Sequence, residues 1–179
     1  KSINTPLNKN LNLLFAGHLS LRKGIINLIR IINELDNEGY NIKLTILGNG
    51  NLQSKIDSYI NKNKLNDKIC LIGFVDNVSH YIEKSNYTIL PSFSEGISRF
   101  ILESLYIGRK AIVRNTSGID EVLNNANSYI FNSDNDLKNL LIQLIETKKY
   151  LDDPCEKYPK AFDKNINLKK IEKIIIDLH

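Results

Sequence analysis

The sequence lacks methionine and tryptophan altogether and holds only two cysteines and four prolines. The cysteines lie far apart and have no metal-ligand spacing with the three histidines, so neither a disulfide framework nor a structural zinc site is expected. Long apolar runs are also missing, because stretches such as 13–16 are far shorter than a bilayer span. These absences favour a reduced protein without a structural metal and without a membrane-spanning helix.

A strong charge of one sign is absent as well. The net charge is +4, the lysines are scattered, and aromatic residues do not alternate with them as in a base-stacking platform, so no nucleic-acid binding is expected. No secretory signal pattern is visible, which favours a cytoplasmic location, while weak attraction to anionic lipid head groups stays open. Because the chain opens with Lys1 and has no methionine, we expect a fragment of a longer protein.

The residues that are present alternate between strand-like and helix-like segments. A length of 179 residues with 42% hydrophobic and 25% charged residues is typical of one globular domain. Short β-branched runs predict strands, and apolar residues at helical spacing predict helices. Strands are predicted at 11–16, 42–47, 69–72, 87–90, 111–114 and 129–131. Helices are predicted from Ile25 to Leu35, at 52–60, 78–83, 98–106 and 119–123, and from Asp134 onward.

This βα alternation predicts an α/β fold, a doubly wound parallel sheet of about six strands covered by helices on both faces. In such open sheets, ligands bind beyond the carboxyl ends of the strands, where loops and helix N-termini converge. The loops expected at that edge are 17–24, 48–51, 73–77, 91–98 and 114–118.

Segment 91–103 is the most informative of these stretches. It places a strand end, the carboxylate of Glu95, Gly96 and a helix start in quick succession. Gly96 lets the backbone approach a ligand, and the amides of a first helical turn carry about half a positive charge together, which suits a diphosphate. Glu103 leans back along the helix and can accept hydrogen bonds from vicinal hydroxyls, such as those of a ribose or hexose. For an isolated pair, two solvated glutamates without function would be the default interpretation.

The string Pro-Ser-x-x-Glu-Gly-x-x-Arg-x-x-Leu-Glu-Ser begins at Pro91 and leads into Gly108-Arg109 and Ala111-Ile112-Val113. It resembles the signature of family 4 glycosyltransferases, including their glutamate pair separated by seven residues. Further pieces follow the family's order over most of residues 11–131: Phe15-Ala16-Gly17, Lys23-Gly24, Leu47-Gly48-Asn49-Gly50, Gly73-Phe74-Val75, and Ser117-Gly118 with Glu121.

The resemblance implies the C-terminal half of a GT-B fold. Residues 1–150 would form the Rossmann-like domain that binds the nucleotide-sugar donor, and 151–179 a helical extension of it. The N-terminal acceptor domain is then absent from the fragment. An apolar stripe in the extension is expected to face that absent domain or a second copy; it comprises Leu168, Ile171, Ile174, Ile175 and Leu178.

The resemblance also implies roles for individual residues. Glu103 corresponds to the glutamate that grips the nucleotide ribose, and Glu95 to the one near the transferred sugar, where it contacts hydroxyls or stabilises the reacting centre. Lys23 corresponds to the cation on the diphosphate, so Glu95 and Lys23 are the expected catalytic residues; a solvated lysine is the alternative. The segment whose amides meet sugar and phosphate comprises Gly96, Ile97, Ser98, Arg99 and Phe100.

The first loop departs from the family pattern, which usually has arginine directly after the position of Gly17. Here that residue is His18. A neutral imidazole would hold phosphate less firmly than a guanidinium fork. Either His18 is protonated in the complex or Arg22 or Arg99 replaces the missing cation; alternatively, His18 is a polar loop residue and diphosphate binding is weak.

The loop with Phe74, Val75 and Asn77 matches the place where relatives hold the base, largely through backbone groups. Asn77 can donate or accept a hydrogen bond, so uracil and guanine both remain open. Packing at the strand end is an equally good account of Phe74 and Val75.

The activity implied by the resemblance is transfer of a sugar from a UDP- or GDP-linked donor to an acceptor hydroxyl, with retention at the anomeric carbon. No cofactor or metal is expected, because backbone amides and Lys23 would already supply positive charge at the diphosphate, and the setting would be bacterial surface polysaccharide or glycoconjugate synthesis. The absent domain leaves open a peripheral contact with the inner face of the plasma membrane. The fragment alone is expected to bind without transferring.

Rival functions are weaker or stay open. A dinucleotide site is disfavoured because Gln53 stands where the third glycine after Gly48 and Gly50 belongs, and a phosphate-loop motif is missing. A GT-B-fold nucleotide-sugar epimerase and a non-catalytic nucleotide-sugar-binding module remain as alternatives.

Overall fold

A computed structural model describes residues 10–96, 98–116, 123 and 127–151. Strands and helices alternate in this part of the chain. The strands are Leu11–Ala16 (β1), Ile42–Leu47 (β2), Ile69–Gly73 (β3), Tyr87–Leu90 (β4), Ala111–Arg114 (β5) and Ser128–Phe131 (β6). The α-helices are Ile25–Asn37 (α1), Gln53–Lys62 (α2), Ser79–Lys84 (α3), Arg99–Ile107 (α4) and Asp134–Glu146 (α5), with 3₁₀ turns at Leu21–Lys23 and Lys149–Leu151.

All six strands run parallel in one sheet with the order β3-β2-β1-β4-β5-β6. Strand β1 lies in the middle and pairs with β2 on one side and β4 on the other. The strand order therefore reverses between β1 and β4, which is the switch point where doubly wound sheets bind ligands. The predicted fold class is confirmed.

Helices cover both faces of the sheet, and the side chains of β1 show how. Leu13 and Phe15 belong to the core cluster that includes α1, α2 and α5, whereas Leu14 belongs to the cluster with α3 and α4. Successive residues of a strand point to opposite faces. All three side chains are fully buried, so both faces must be apolar, and the strand reads as a nearly continuous hydrophobic run.

The predicted element boundaries hold to within one or two residues. Strands β1, β2, β4 and β5 occupy the predicted positions, and β3 and β6 each gain one residue. Three helices begin one residue later than predicted, because Leu52, Val78 and Ser98 are their N-caps. The predicted helix at 119–123, except for Leu123 itself, and the extension beyond Leu151 lie outside the described residues.

The carboxyl ends of β1, β2 and β3 are drawn together by glycine backbones. The Gly17 N–H donates to the Leu47 oxygen at 3.0 Å, and the Gly48 N–H donates to the Gly73 oxygen at 2.7 Å. Gly48 has φ of 117°, and a Cβ added to it would lie 2.1 Å from the Gly17 oxygen. Only glycine fits there, since both the backbone conformation and the space exclude a side chain.

Substituting Gly48 by alanine should therefore destabilise the domain more than the same change at Gly39. Gly39 also has a left-handed φ, of 89°, but an added Cβ would meet no atom within 4 Å. We expect about 1–2 kcal/mol lost in Gly39→Ala from the backbone conformation alone. Gly48→Ala should lose about 1–3 kcal/mol more through the clash, measured by urea denaturation. Equal losses would contradict this account of the strand ends.

Among the described residues, no helix has both the length and the apolar character needed to cross a membrane.

Candidate functional site

A cavity of about 390 Å³ opens at the carboxyl edge of β1, β2 and β3. Its wall is formed by the loops that follow these three strands, 17–24, 48–51 and 73–77, all of which were expected at this edge. Its lining is largely apolar side chain and glycine backbone: Ala16, Gly17, His18, Leu47, Gly48, Asn49, Phe74, Val75 and Val78. The cavity thus brings together Phe74 and Val75, two of the three residues predicted for the base, with Gly17 and His18 from the loop predicted near the diphosphate.

Lys23 and Glu95 meet next to this cavity. The Lys23 Nζ donates to the Glu95 carboxylate in an ion pair across 72 residues of sequence. Only 12% of the Lys23 side chain and 15% of the Glu95 side chain are exposed, so water screens the pair less than an ordinary surface salt bridge. A Cβ placed on Gly17 would lie 3.9 Å from the Lys23 Cε, so the lysine stem runs along the first loop.

Arg22 holds the backbone just before Glu95. Its Nη1 donates to the Ser94 oxygen at 2.7 Å, and its own carbonyl oxygen accepts the Phe93 N–H at 2.8 Å. Arg22 is nevertheless exposed. The guanidinium fixes the loop and keeps further N–H donors for a ligand.

Helix α4 begins directly after this loop. Its N-cap is Ser98, whose hydroxyl makes no capping hydrogen bond. The backbone N–H groups of the first turn are therefore not occupied by this side chain. Phe100 is buried in the core under the helix, and Arg99 is exposed at its start. Glu103 is half-buried and has no hydrogen bond or ion pair within the described part of the chain. Ile97 lies outside the described residues.

The remaining predicted residues lie in the loops at the carboxyl edge of the sheet, and three of them, His18, Phe74 and Val75, line the cavity. His18 is exposed there, and the Phe74 side chain is 73% exposed, which is unusual for a large aromatic residue. Val75 packs at the edge of the core. The Asn77 Oδ1 accepts the His80 N–H at 3.4 Å, so Asn77 also acts at the start of α3. Gly96 has open space around it.

Asn49 is the polar residue of the cavity that the predicted site set omitted, although it falls in one of the expected loops. Its backbone oxygen accepts the Leu19 N–H at 2.9 Å, which leaves its exposed side chain free to face a ligand. The signal was its position between Gly48 and Gly50, where tight backbone packing presents the middle side chain outward.

No group of three or more potential metal-ligating side chains occurs among the described residues. The expectation of donor binding without a metal stays a prediction.

A second polar cluster borders the loop before Glu95, centred on Arg114 at the end of β5. The Arg114 Nη2 forms an ion pair with the Asp134 carboxylate at the start of α5, and the Asn27 Nδ2 donates to the same carboxylate at 2.6 Å. Burial by itself raises the pKa of Asp134, but the hydrogen bonds from Asn27 and Arg114 and the arginine charge outweigh it and hold the pKa below its usual value.

This lowered pKa makes part of the stability pH-dependent. Asp134 contributes stability above the pKa of its unfolded form, about 3.9, and the contribution disappears as the pH falls through the lower folded pKa. Wild type should therefore unfold at higher urea concentration than Asp134→Asn at pH 6, and the gap should close as the pH falls below about 4. A gap that stays constant down to pH 2 would show that the carboxylate charge does not matter.

The parallel sheet and the cavity beyond its carboxyl edge define a Rossmann-like ligand-binding domain of the doubly wound class. Residues 2–166 match the sequence model of the family described as glycosyl transferases group 1. The chain belongs to this family of transferase enzymes, and its structural neighbours are GT-B glycosyltransferases.

Among curated relatives, an uncharacterised glycosyltransferase of Methanocaldococcus jannaschii is 30% identical over 157 residues, which is 83% of this chain and 43% of that protein. A Campylobacter jejuni protein named as an α-1,4-N-acetyl-D-galactosaminyltransferase for a PP-undecaprenol-linked glycan is 32% identical over 106 residues, covering 59% of this chain and 29% of its own length. The chain thus spans less than half of these relatives.

Two solved structures share the fold. The pneumococcal O-GlcNAc transferase GtfA, in complex with UDP and GlcNAc, superposes with a TM-score of 0.76 at 21% identity over 94% of this chain and 36% of that chain. The C-terminal domain of the Francisella tularensis group 1 protein LpcC superposes with a TM-score of 0.70 at 15% identity, over 82% of this chain and 80% of that chain.

Proposed function

We propose that this chain is the donor-binding half of a retaining glycosyltransferase that moves a sugar from a nucleoside diphosphate to an acceptor hydroxyl in surface polysaccharide or glycoconjugate synthesis. The observation that carries the proposal is the meeting of Lys23 and Glu95 beside the cavity. An ammonium has three N–H donors, so the bond to Glu95 leaves two for a diphosphate. The base would lie in the cavity, with the diphosphate between Lys23 and the start of α4.

Similar proteins support the type of donor. Two of the similar structures hold UDP together with a sugar, GlcNAc in one and glucose in the other. Relatives in Erwinia amylovora and Staphylococcus aureus are named as glycosyltransferases of amylovoran and capsular polysaccharide biosynthesis. A UDP-sugar is therefore the first donor to test, and a GDP-sugar the second.

In mechanism, Lys23 would stabilise the charge that builds on the leaving diphosphate as the glycosidic bond breaks. Preorganised donors at that position lower the barrier because they need no rearrangement during the reaction. Glu95, fixed by the same lysine, would contact hydroxyls of the transferred sugar or stabilise the reacting centre. The acceptor would be bound by a separate acceptor domain, as the resemblance to GT-B glycosyltransferases implies.

Isothermal titration with uridine, guanosine, UDP, GDP and the sugar conjugates of both diphosphates tests the proposal. We expect UDP or GDP to bind at least tenfold more tightly than the matching nucleoside, because only the diphosphate reaches Lys23 and the α4 amides. A thermal-shift series should give the same order, since ligands raise stability according to affinity. If no nucleotide binds at millimolar concentration, the proposal is wrong.

His18→Arg gives a gain-of-binding prediction. The substitution places a permanent charge with a bidentate fork at the exposed rim of the cavity, next to Gly17. We expect UDP affinity to rise about three- to tenfold, and uridine affinity to stay the same. A rise for both ligands would mean that the arginine acts on the base and not on the diphosphate.

A further inference from the structure

Arg114 is buried at the end of β5, with only 7% of the residue exposed, and its guanidinium contacts two aromatic rings. Its Cζ lies 4.6 Å from the ring centroid of Phe93 and 4.9 Å from that of Phe131. Phe131 belongs to the core, whereas Phe93 is half exposed and belongs to the loop before Glu95. The arginine thus fastens that loop to the body of the domain.

The hydrogen bonds of the guanidinium also tie the loop to the body of the domain. Its Nε donates to the Pro91 oxygen at 3.2 Å, and its Nη1 donates to the Asn132 oxygen at 3.3 Å. The Pro91 oxygen also packs against Gly24, where an added Cβ would lie 2.2 Å from it. One end of the loop is therefore fixed by Arg114 and the start of α1 together.

The other end of the loop is held by Arg22, which contacts the backbone of Phe93 and Ser94. Three residues lie between Pro91 and Glu95, and hydrogen bonds hold the backbone at Pro91 on one side and at Phe93 and Ser94 on the other. Helix α4 after the loop has its own anchorage, since Phe100, Ile101 and Leu105 are buried. A loosened loop would therefore displace Glu95 more than it displaces Glu103.

We propose that Arg114 is a positioning residue that places Glu95 for the transferred sugar by clamping the Pro91 carbonyl and the Phe93 ring. The inference rests on the proposed function for its ligand, but its geometric part stands without one. Arg114 itself does not line the cavity and acts only through the loop.

The decisive variant is Arg114→Lys, which keeps a positive charge for Asp134 but has neither the Nε donor nor a planar group to contact the rings. Its control is Asp134→Asn, which removes the ion pair and leaves the Pro91 and Phe93 contacts in place. Backbone amide hydrogen exchange, followed by NMR, needs no ligand. We expect exchange at Phe93 to quicken about tenfold in Arg114→Lys and to change little in Asp134→Asn.

The ligand measurement compares a UDP-sugar with UDP. In Arg114→Lys, the affinity for UDP should stay within about twofold, and the additional affinity supplied by the sugar should be lost. A merely structural role would lower both affinities or neither. Equal behaviour of Arg114→Lys and Asp134→Asn in both measurements would overturn the proposal.

Misfolding of Arg114→Lys and failure of the wild type to bind a nucleotide sugar can each be distinguished from failure of the clamp. If Arg114→Lys does not fold, Phe93→Leu removes the exposed ring alone and should quicken exchange at the same amide; unchanged exchange in that variant overturns the clamp. If wild type binds no nucleotide sugar, the proposed function fails, while the exchange measurements still decide whether Arg114 orders the loop.

Discussion

Glu103→Ala is expected to reduce the binding of UDP and of UDP-sugars about a hundredfold or more. The side chain is half-buried on α4 and has no hydrogen bond or ion pair among the described residues, so its carboxylate can accept hydrogen bonds from the proposed ribose. Two hydrogen bonds from ribose hydroxyls to a carboxylate contribute about 1.5–3 kcal/mol each, and their loss accounts for this factor. Calorimetric titration measures it directly.

The absence of internal partners also means that the effect of Glu103→Ala on binding can be separated from an effect on folding. Because Glu103 supports no neighbour in the described structure, Glu103→Ala should unfold within about 0.5 kcal/mol of wild type. Glu83→Ala, at an exposed position of α3, should leave both stability and affinity unchanged. Glu103→Gln should bind with intermediate affinity, because the amide oxygen still accepts one hydrogen bond without the charge. Wild-type affinity in Glu103→Ala would end the ribose assignment.

Local patterns predicted the elements well because each element is encoded locally. The run from Leu11 to Ala16 is apolar on both faces, and α1 repeats its apolar residues at helical spacing. The errors at helix starts have one cause. Leu52, Val78 and Ser98 fit the periodicity of the helix that follows, but each is the N-cap, which side-chain periodicity does not register.

The motif indicated which residues come close together in the fold, whereas contacts made by packing of distant segments were not visible in the sequence. Lys23 and Glu95 were assigned to one site through the resemblance, and the strand order brings them together. Arg114 was missed because a charged residue after an apolar run indicates, from the sequence alone, only that the strand ends there. Its contacts are with Pro91 and Phe93, which are over twenty residues away in sequence and are brought beside it by the pairing of β4 with β5.

Lys23→Ala is expected to weaken UDP binding about a hundredfold, with two causes acting in the same direction. The variant loses an ammonium that would attract the diphosphate by up to about 4 kcal/mol at an effective dielectric of about 20. It also leaves the Glu95 carboxylate, 15% exposed, without its partner. That carboxylate then repels the diphosphate, so the loss should exceed that from an isolated surface lysine.

A double variant separates the two causes. Glu95→Gln in the Lys23→Ala background removes the repulsion and should recover about tenfold of the UDP affinity, although it cannot restore the attraction. UDP is the ligand of choice because it lacks the sugar that Glu95 is proposed to contact.

Lys62→Ala serves as the matched control for the loss of a lysine. Lys62 is exposed at the C-terminal end of α2. Because a helix that connects two parallel strands ends near the start of the next strand, Lys62 lies at the edge of the sheet opposite to the cavity. If Lys23→Ala binds UDP as Lys62→Ala does, the ion pair is structural and the diphosphate lies elsewhere. If the double variant binds no better than Lys23→Ala, Glu95 does not face the phosphates, and its pairing with Lys23 serves only to orient the lysine.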